Sequence, residues 1–384
     1  MNEAKLNTRS SICYTFTSFL KEGTSYRCKQ SAAKHKNPLY SFISEVAFVN
    51  LYLTALATTE ATDGPDCIQG SQDADTISGK GGDDIIYGNG GDDTIYGNGG
   101  NDVLYGNEGA DKIYGGAGND RIYGGAQNDI IYGDEGDDEI YGDDGDDTIN
   151  GGAGNDRIEG GQGDDRLIGN EGNDHIEGGD GNDLLYGDSG DDTINGDAGD
   201  DQIYGGEGDD KIYGGEGDDE IAGANGNDII KGDGGNDILQ GNDGNDKIYG
   251  ELNDTLLDGG EGYDSLYFNE DVDFDAIRDT LNQKISNFEQ LHLGYTGDDT
   301  VKLNNMTAAD IFAMTDNKDT ILKIKGDKKD SVGLKGFTKV SNDPGVENGY
   351  TRYESTYTDT SGTHTIKVDI ENPVHVDLVG ISTP

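Results

Sequence analysis

The sequence predicts an all-β chain built mainly as a parallel β-solenoid, and three observations carry the prediction. From Ala61 to Tyr267 the chain repeats every nine residues without a slip in phase, glycine opening at Gly79, Gly88, Gly97, Gly106 and Gly115 and returning through Gly241, Gly250 and Gly259. In a frame such as Gly205-Gly206-Glu207-Gly208-Asp209-Asp210-Lys211-Ile212-Tyr213, positions one and four are glycine and position six is aspartate; position eight is isoleucine or leucine, and position nine is often tyrosine. One apolar side chain per frame, as at Ile86, Ile95, Leu104, Ile113, Ile122, Ile131, Ile140, Ile149, Ile158 and Leu167, supplies only the thin core of a solenoid. Two frames hold enough residues for two short strands and two tight turns, so each pair is one coil of a flattened helix stacked about 4.8 Å from the next. Position eight then points inward and positions seven and nine outward, because strand side chains alternate. Positions one to six are left for the turn.

Composition agrees with a thin core. The 384 residues are 32% apolar, with no Trp and 64 Gly, and the formal net charge is -51. Residues 61–267 hold 54 acidic and eight basic side chains and carry -46 of that charge. Such a chain repels nucleic acid and anionic membranes and attracts cations. Low hydrophobicity with high charge reads as disorder, and that is the expectation for metal-free repeats, whereas the fixed spacing of position eight calls for an ordered core once a cation is bound. Cys13, Cys28 and Cys67 fit no zinc or redox spacing. Cys13 and Cys28 could pair under oxidising conditions, but unrelated thiols are the expectation.

Residues 1–60 form a first segment, slightly basic and free of repeats. Leu39 to Ala57 is apolar at Phe42, Ile43, Val46, Phe48, Val49, Leu51, Leu53 and Leu56, which predicts a helix that could cap the open end of the solenoid. Lys34 and Lys36 before the run and Ala55-Leu56-Ala57 after it also allow a secretory signal. Glu45 and Asn50 interrupt the run and weigh against that reading and against a membrane span.

Residues 61–267 form the repeat segment. Its first frames are degenerate, Asp63 to Ile68 and Gly70 to Ser78 keeping aspartate and isoleucine in phase, as terminal repeats usually do. Gln127 replaces a fourth-position glycine and should weaken one turn. Gly250-Glu251-Leu252-Asn253-Asp254 brings the aspartate one place early, and Gly259 to Tyr267 is the last full frame.

Residues 268–384 read as a mainly β module. Leu291-His292-Leu293, Ile321-Leu322-Lys323-Ile324 and Ile366-Lys367-Val368-Asp369-Ile370 alternate with strand period, and Ala308 to Met314 predicts a short helix. An ordinary β-sandwich cap is one architecture for it.

The frame resembles the nonapeptide repeat of the RTX (repeats-in-toxin, haemolysin-type) calcium-binding β-roll, G-G-x-G-x-D-x-U-x, over a little more than half of the chain. Calcium takes six to eight hard oxygens at about 2.3–2.6 Å, and glycine turns let carbonyls crowd towards one point. The resemblance implies that the position-six aspartates donate carboxylates: Asp84, Asp93, Asp102, Asp111, Asp120, Asp129, Asp138, Asp147, Asp156, Asp165, Asp174, Asp183, Asp192, Asp201, Asp210, Asp219, Asp228, Asp237, Asp246 and Asp264. It also implies that turns two frames apart share an ion, Asp84 with Asp102 and Asp93 with Asp111, giving at most roughly 18 to 20 Ca2+ ions. Ordering nine residues costs on the order of 10 kcal/mol of backbone entropy, several times what one buried isoleucine returns, so folding is expected to require calcium.

Ile285-Ser286-Asn287-Phe288-Glu289, Ile324-Lys325-Gly326-Asp327 and Asp330-Ser331-Val332-Gly333-Leu334 look like the C-terminal target module of type I secretion substrates. That likeness implies export by a type I secretion apparatus and folding outside a bacterial cell. The function expected is calcium binding by a secreted protein with a structural or cell-surface role. Two alternatives remain open, the calcium-dependent part of an enzyme or toxin whose active domain is absent here, and an adhesin binding glycans through tyrosines that recur every 18 residues. Enzymatic activity is not expected: the 60 residues before the repeats are too few for the catalytic domains the family often carries. His35, His175, His292, His364 and His375 are scattered, with no HExxH or GxSxG. Unbroken nine-residue phase excludes EF-hand helices, and no three-residue glycine period supports collagen.

Overall fold

The isoleucine or leucine at position eight sets the architecture. In the computed structural model, which describes residues 61–268 and most of 270–379 apart from 276–283, 295–300, 316–320, 327–329, 341–345, 347–348, 359–362 and 373, the position-eight side chains from Ile86 to Ile248 have no solvent exposure. The expected helix and secretory signal before residue 61, with Cys13 and Cys28, lie outside the described residues.

From Cys67–Gln69 to Lys247–Tyr249 each strand pairs in parallel with the strand 18 residues further on. Ile85–Gly90 lies beside Val103–Glu108 with Ile86 opposite Leu104 and Tyr87 opposite Tyr105, and Thr94–Gly99 lies beside Lys112–Ala117 with Ile95 opposite Ile113. Alternate strands therefore fall into two sheets, and the isoleucine columns of both fill the space between them. A parallel β-solenoid of two frames per coil is the observed fold, as the period predicts.

The turn is shorter than expected. Strands such as Lys211–Glu216 run from position seven through position three of the next frame, because positions two and three also pair in the ladder, Gly215 opposite Asp233 and Glu216 opposite Gly234. The turn proper is positions four to six. Position two holds positive φ in both Gly116 (+112°) and Asn107 (+78°), which favours the glycine, asparagine and aspartate that fill most frames, with Lys80 and Ala224 held in the same region. Position four combines positive φ with direct stacking: a Cβ on Gly100 would run into the Gly82 carbonyl of the coil before it. Gln127 occupies that position at φ +79° and its N–H still donates to Asp144 O at 2.7 Å. The turn keeps its form, and a non-glycine residue is held left-handed in it.

Parallel stacking does not end with the repeats. Gln290–Leu293 lies beside Ser265–Phe268 with Leu291 opposite Leu266; Ile321–Lys325 follows with Ile324 opposite Leu291, then Thr363–Glu371 with Ile370 opposite Ile324. The apolar column thus runs on into the C-terminal module, which is mainly β: part of it continues the sheet of the coils, and Val272–Asp273, Lys302–Met306, Ser331–Lys335 and His375–Val379 make a second, four-stranded parallel sheet. Tyr350–Thr358 closes antiparallel on Thr363–Glu371, pinned by Arg352 Nε and Nη2 donating to Asp369 Oδ1 and Oδ2 at 2.7 and 2.8 Å. The helix Ala308–Met314 forms as the sequence predicts, started by a capping box between Thr307 and Asp310.

Candidate metal centre

Position six is the last residue of the turn, just before each strand begins, which places the aspartate side chain back under the turn. Each of the 20 expected aspartates is at most 3% exposed. Oδ1 of each accepts a backbone N–H from the previous coil: Asp84 N donates to Asp102 Oδ1 and Asp102 N to Asp120 Oδ1, both at 2.7 Å, while Asp93 N donates to Asp111 Oδ1 at 2.7 Å along the opposite edge. The pairs expected from the period are therefore in contact, in one column on each edge.

Oδ2 is different. Among the described residues, the buried side-chain oxygens without a hydrogen-bond partner are the Oδ2 atoms of these 20 aspartates. Buried acceptors are normally satisfied, because an unmade hydrogen bond costs the full desolvation of the group. Each Oδ2 faces the position-one glycine of its own frame and, in every frame but those of Gly232 and Gly259, the carbonyl of the corresponding glycine on the next coil: a Cβ on Gly124 would sit 2.5 Å from Asp129 Oδ2 and 2.8 Å from Gly142 O. Position one is glycine because the place of its side chain is taken by carboxylate and carbonyl oxygen.

These carboxyls are poor acids. Burial raises Asp84 to about 6, Asp120 to about 7 and Asp129 to about 8, against the pull of the N–H donors from Asp66, Asp102 and Asp111; like charge on the same edge raises them further, from Asp102 on Asp84, Asp102 and Asp138 on Asp120, and Asp147 and Asp111 on Asp129. Among the described residues no three His, Cys, Asp or Glu side chains are placed so that they could hold one metal ion by themselves. A cation held here draws on backbone carbonyls and on the aspartate carboxylates of one column, an all-oxygen donor set that fits calcium and does not fit zinc or copper.

Sequence reasoning missed position five. Asp or Asn fills it from Asp83 to Asn245 in every frame except that of Ala110, and the side chains form outer ladders that run opposite to the position-six columns. Asn101 N donates to Asp83 Oδ1 and Asn119 N to Asn101 Oδ1, each at 3.0 Å. Adjacent coils are thereby clamped in both directions. Asp254 was also missed: although one residue early, it is buried and accepts from Asp237 N at 3.4 Å, and its Oδ2 is bonded by Glu251 N at 2.7 Å.

The tyrosine columns form as expected, Tyr87, Tyr105, Tyr123 and Tyr141 stacking with centroids 4.7, 4.9 and 5.0 Å apart and planes within 6°. Within a column the ring faces stack on one another. His175 stands at an outward position beside Glu177, 2.9 Å away. Among the described residues no helix is long and apolar enough to cross a membrane.

A family model for the RTX calcium-binding nonapeptide repeat, four copies to a match, fits the chain in overlapping stretches that run from residue 69 to residue 266, half of its length. No curated protein matches the chain.

Proposed function

Because the chain belongs to the RTX calcium-binding nonapeptide-repeat family, whose β-roll binds Ca2+, we propose that its position-six aspartates hold two rows of ions and that binding them is what folds residues 61–267. One observation carries this reading: 20 buried Oδ2 atoms without a partner, repeated at the spacing of the coils. Each Oδ2 and the neighbouring position-one carbonyl would face the ion, and the glycines keep the approach open. The repeats are a structural calcium-binding element rather than a catalytic one.

Charge supports coupling to folding. Roughly 20 divalent ions would bring about +40 to a segment carrying -46, so the repulsion that opposes the metal-free coil is nearly cancelled by the ligand. We propose that the chain travels unfolded through a low-calcium compartment, leaves by a type I secretion apparatus that reads residues 268–384, and folds outside the cell in a structural or surface role. The likeness of residues 285–289, 324–327 and 330–334 to secretion target modules supports that route.

Far-UV circular dichroism during a titration from chelator to about 10 mM calcium, with magnesium as the control, tests the reading. A coil-to-β transition driven by calcium alone is expected; a β-rich spectrum in chelator that calcium leaves unchanged overturns it.

A further inference from the structure

The two edges of the roll end differently. Along the first edge, Asp228 N donates to Asp246 Oδ1 and Asp246 N to Asp264 Oδ1, both at 2.8 Å. The next N–H breaks the spacing: Asp264 N donates instead to Oε2 of Glu289, 25 residues ahead, at 2.9 Å. The main chain returns the contact, Glu289 N and Gln290 N donating to Asp264 O at 3.1 and 2.9 Å.

The carbonyl partner is replaced as well. An interior position-one glycine faces an aspartate Oδ2 and the carbonyl of the glycine one coil on; Gly259 faces Asp264 Oδ2, 2.9 Å from a Cβ placed there, and the carbonyl of Asn287. Asn287 is held left-handed at φ +59°, with its Nδ2 donating to Asp258 Oδ1 at 2.6 Å. Only one residue separates Asn287 from Glu289, whereas four separate the equivalent glycine and aspartate inside the roll, and the extra methylene of glutamate spans the difference. Asp264 has no exposure and its Oδ2 has no partner, as in the interior frames.

The second edge closes without such an atom. Oδ2 of Asp254 already accepts from Glu251 N, and the Lys284 ammonium donates to Leu252 O and Asp254 O at 3.2 and 2.9 Å, standing where a cation would collect carbonyl oxygens.

We propose that the last calcium site of the first edge is built jointly by the roll and the module after it, from Asp264, the Asn287 carbonyl and the Glu289 carboxylate, so that one ion ties the C-terminal module to the repeats. This rests on the calcium reading of the repeats. The full chain carrying Glu289→Gln tests it beside Asp210→Asn, an interior change, by counting bound calcium in equilibrium dialysis and following tryptic protection of residues 268–384 across a calcium titration. For E289Q the ion count falls by one and the calcium needed to protect the module rises on the order of tenfold, while the β transition of the roll moves less. D210N shifts roll and module together. Wild-type ion count and protection in E289Q, with D210N still shifted, overturns the junction site and leaves the repeat reading standing. A wild-type chain that binds no calcium overturns the repeat reading itself. Should E289Q fail to reach wild-type ellipticity at saturating calcium, Glu289→Asp, which keeps the charge and shortens the reach, decides: a smaller shift in the same direction supports the proposal and none overturns it.

Discussion

A Cβ on Gly115 would lie 2.5 Å from Oδ2 of Asp120 and 2.6 Å from the carbonyl of Gly133. Both neighbours are oxygens fixed by the stacking of the coils, so neither can move aside cheaply. Gly115→Ala is expected to cost about 1–3 kcal/mol of stability and to raise the calcium concentration at the folding midpoint. Gly64→Ala, at a position with open space around it, should stay within about 0.5 kcal/mol. Urea denaturation at fixed calcium measures both, and equal effects would show that position one is not reserved for the carboxylate.

The buried carboxyls make the metal-free fold acid-stabilised. Burial holds Asp120 and Asp129 at about 7 and about 8 in the coil against an ordinary value of 3.8, so the coil binds protons more tightly than the unfolded chain. The stabilisation is fully present below about pH 4 and is lost as pH rises through about 6 to 8. In chelator, β content is expected to increase between pH 8 and pH 4. With calcium the trend reverses, because protons compete for the same oxygens and apparent affinity falls below about pH 7. Circular dichroism across that range in chelator checks the sign, and a flat or falling β signal towards acid would contradict it.

Most of the roll was legible because its period is its structure. A nine-residue spacing with one isoleucine fixes the inward column, and the aspartates in phase with it were all placed on the two edges. What escaped were roles that need a neighbour in space. Position five carries as regular a signal as position six, but its ladder exists only once Asn101 lies over Asp83. Glu289 and Lys284 belong to no frame at all, and only the parallel pairing of Gln290–Leu293 with Ser265–Phe268 and of Ile285–Ser286 with Leu257 and Asp258 brings them to the ends of the rows. The turn is shorter than the glycine pattern suggests, because glycine at positions one and two reads as loop whereas here it lets strands continue under a carboxylate.

Positions five and six should separate in mutants. Asn227→Ala removes the acceptor of the Asn245 N–H, a bond of 3.1 Å, and is expected to cost about 1 kcal/mol with calcium stoichiometry unchanged. Asp228→Asn keeps an oxygen for Asp210 N yet removes the carboxylate charge, so coil stacking survives and calcium affinity falls. Dialysis and urea melts on the pair give opposite patterns, and a lower ion count in N227A would move ligand duty to the outer ladder.

In the C-terminal module, the Arg352–Asp369 pair is buried on both sides, with side chains 5% and 3% exposed. Arg352→Ala leaves the Asp369 carboxylate without its fork and is expected to destabilise the hairpin of Tyr350–Thr358 and Thr363–Glu371 by about 3–5 kcal/mol. Limited proteolysis should then release the tail while the calcium transition of the repeats keeps most of its amplitude. Loss of both together would mean that the repeats depend on this hairpin to form.

Magnesium should fail where calcium succeeds. It demands near-octahedral geometry at about 2.0–2.1 Å and gives up its waters reluctantly, whereas the oxygens around each Oδ2 are backbone carbonyls whose spacing is set by strands stacked every 18 residues. The ladder cannot contract around a smaller ion without breaking the register that buries Ile212 and Ile230. Sodium chloride at high concentration screens the repulsion along the carboxylate columns but supplies no ligand for the buried Oδ2 atoms, so it should recover only a small part of the β signal. Chelator added to the folded chain is therefore expected to unfold the repeats, with calcium restoring them and neither magnesium nor salt doing so. Full recovery in salt alone would show that charge neutralisation, and not coordination at the buried oxygens, is what the fold requires.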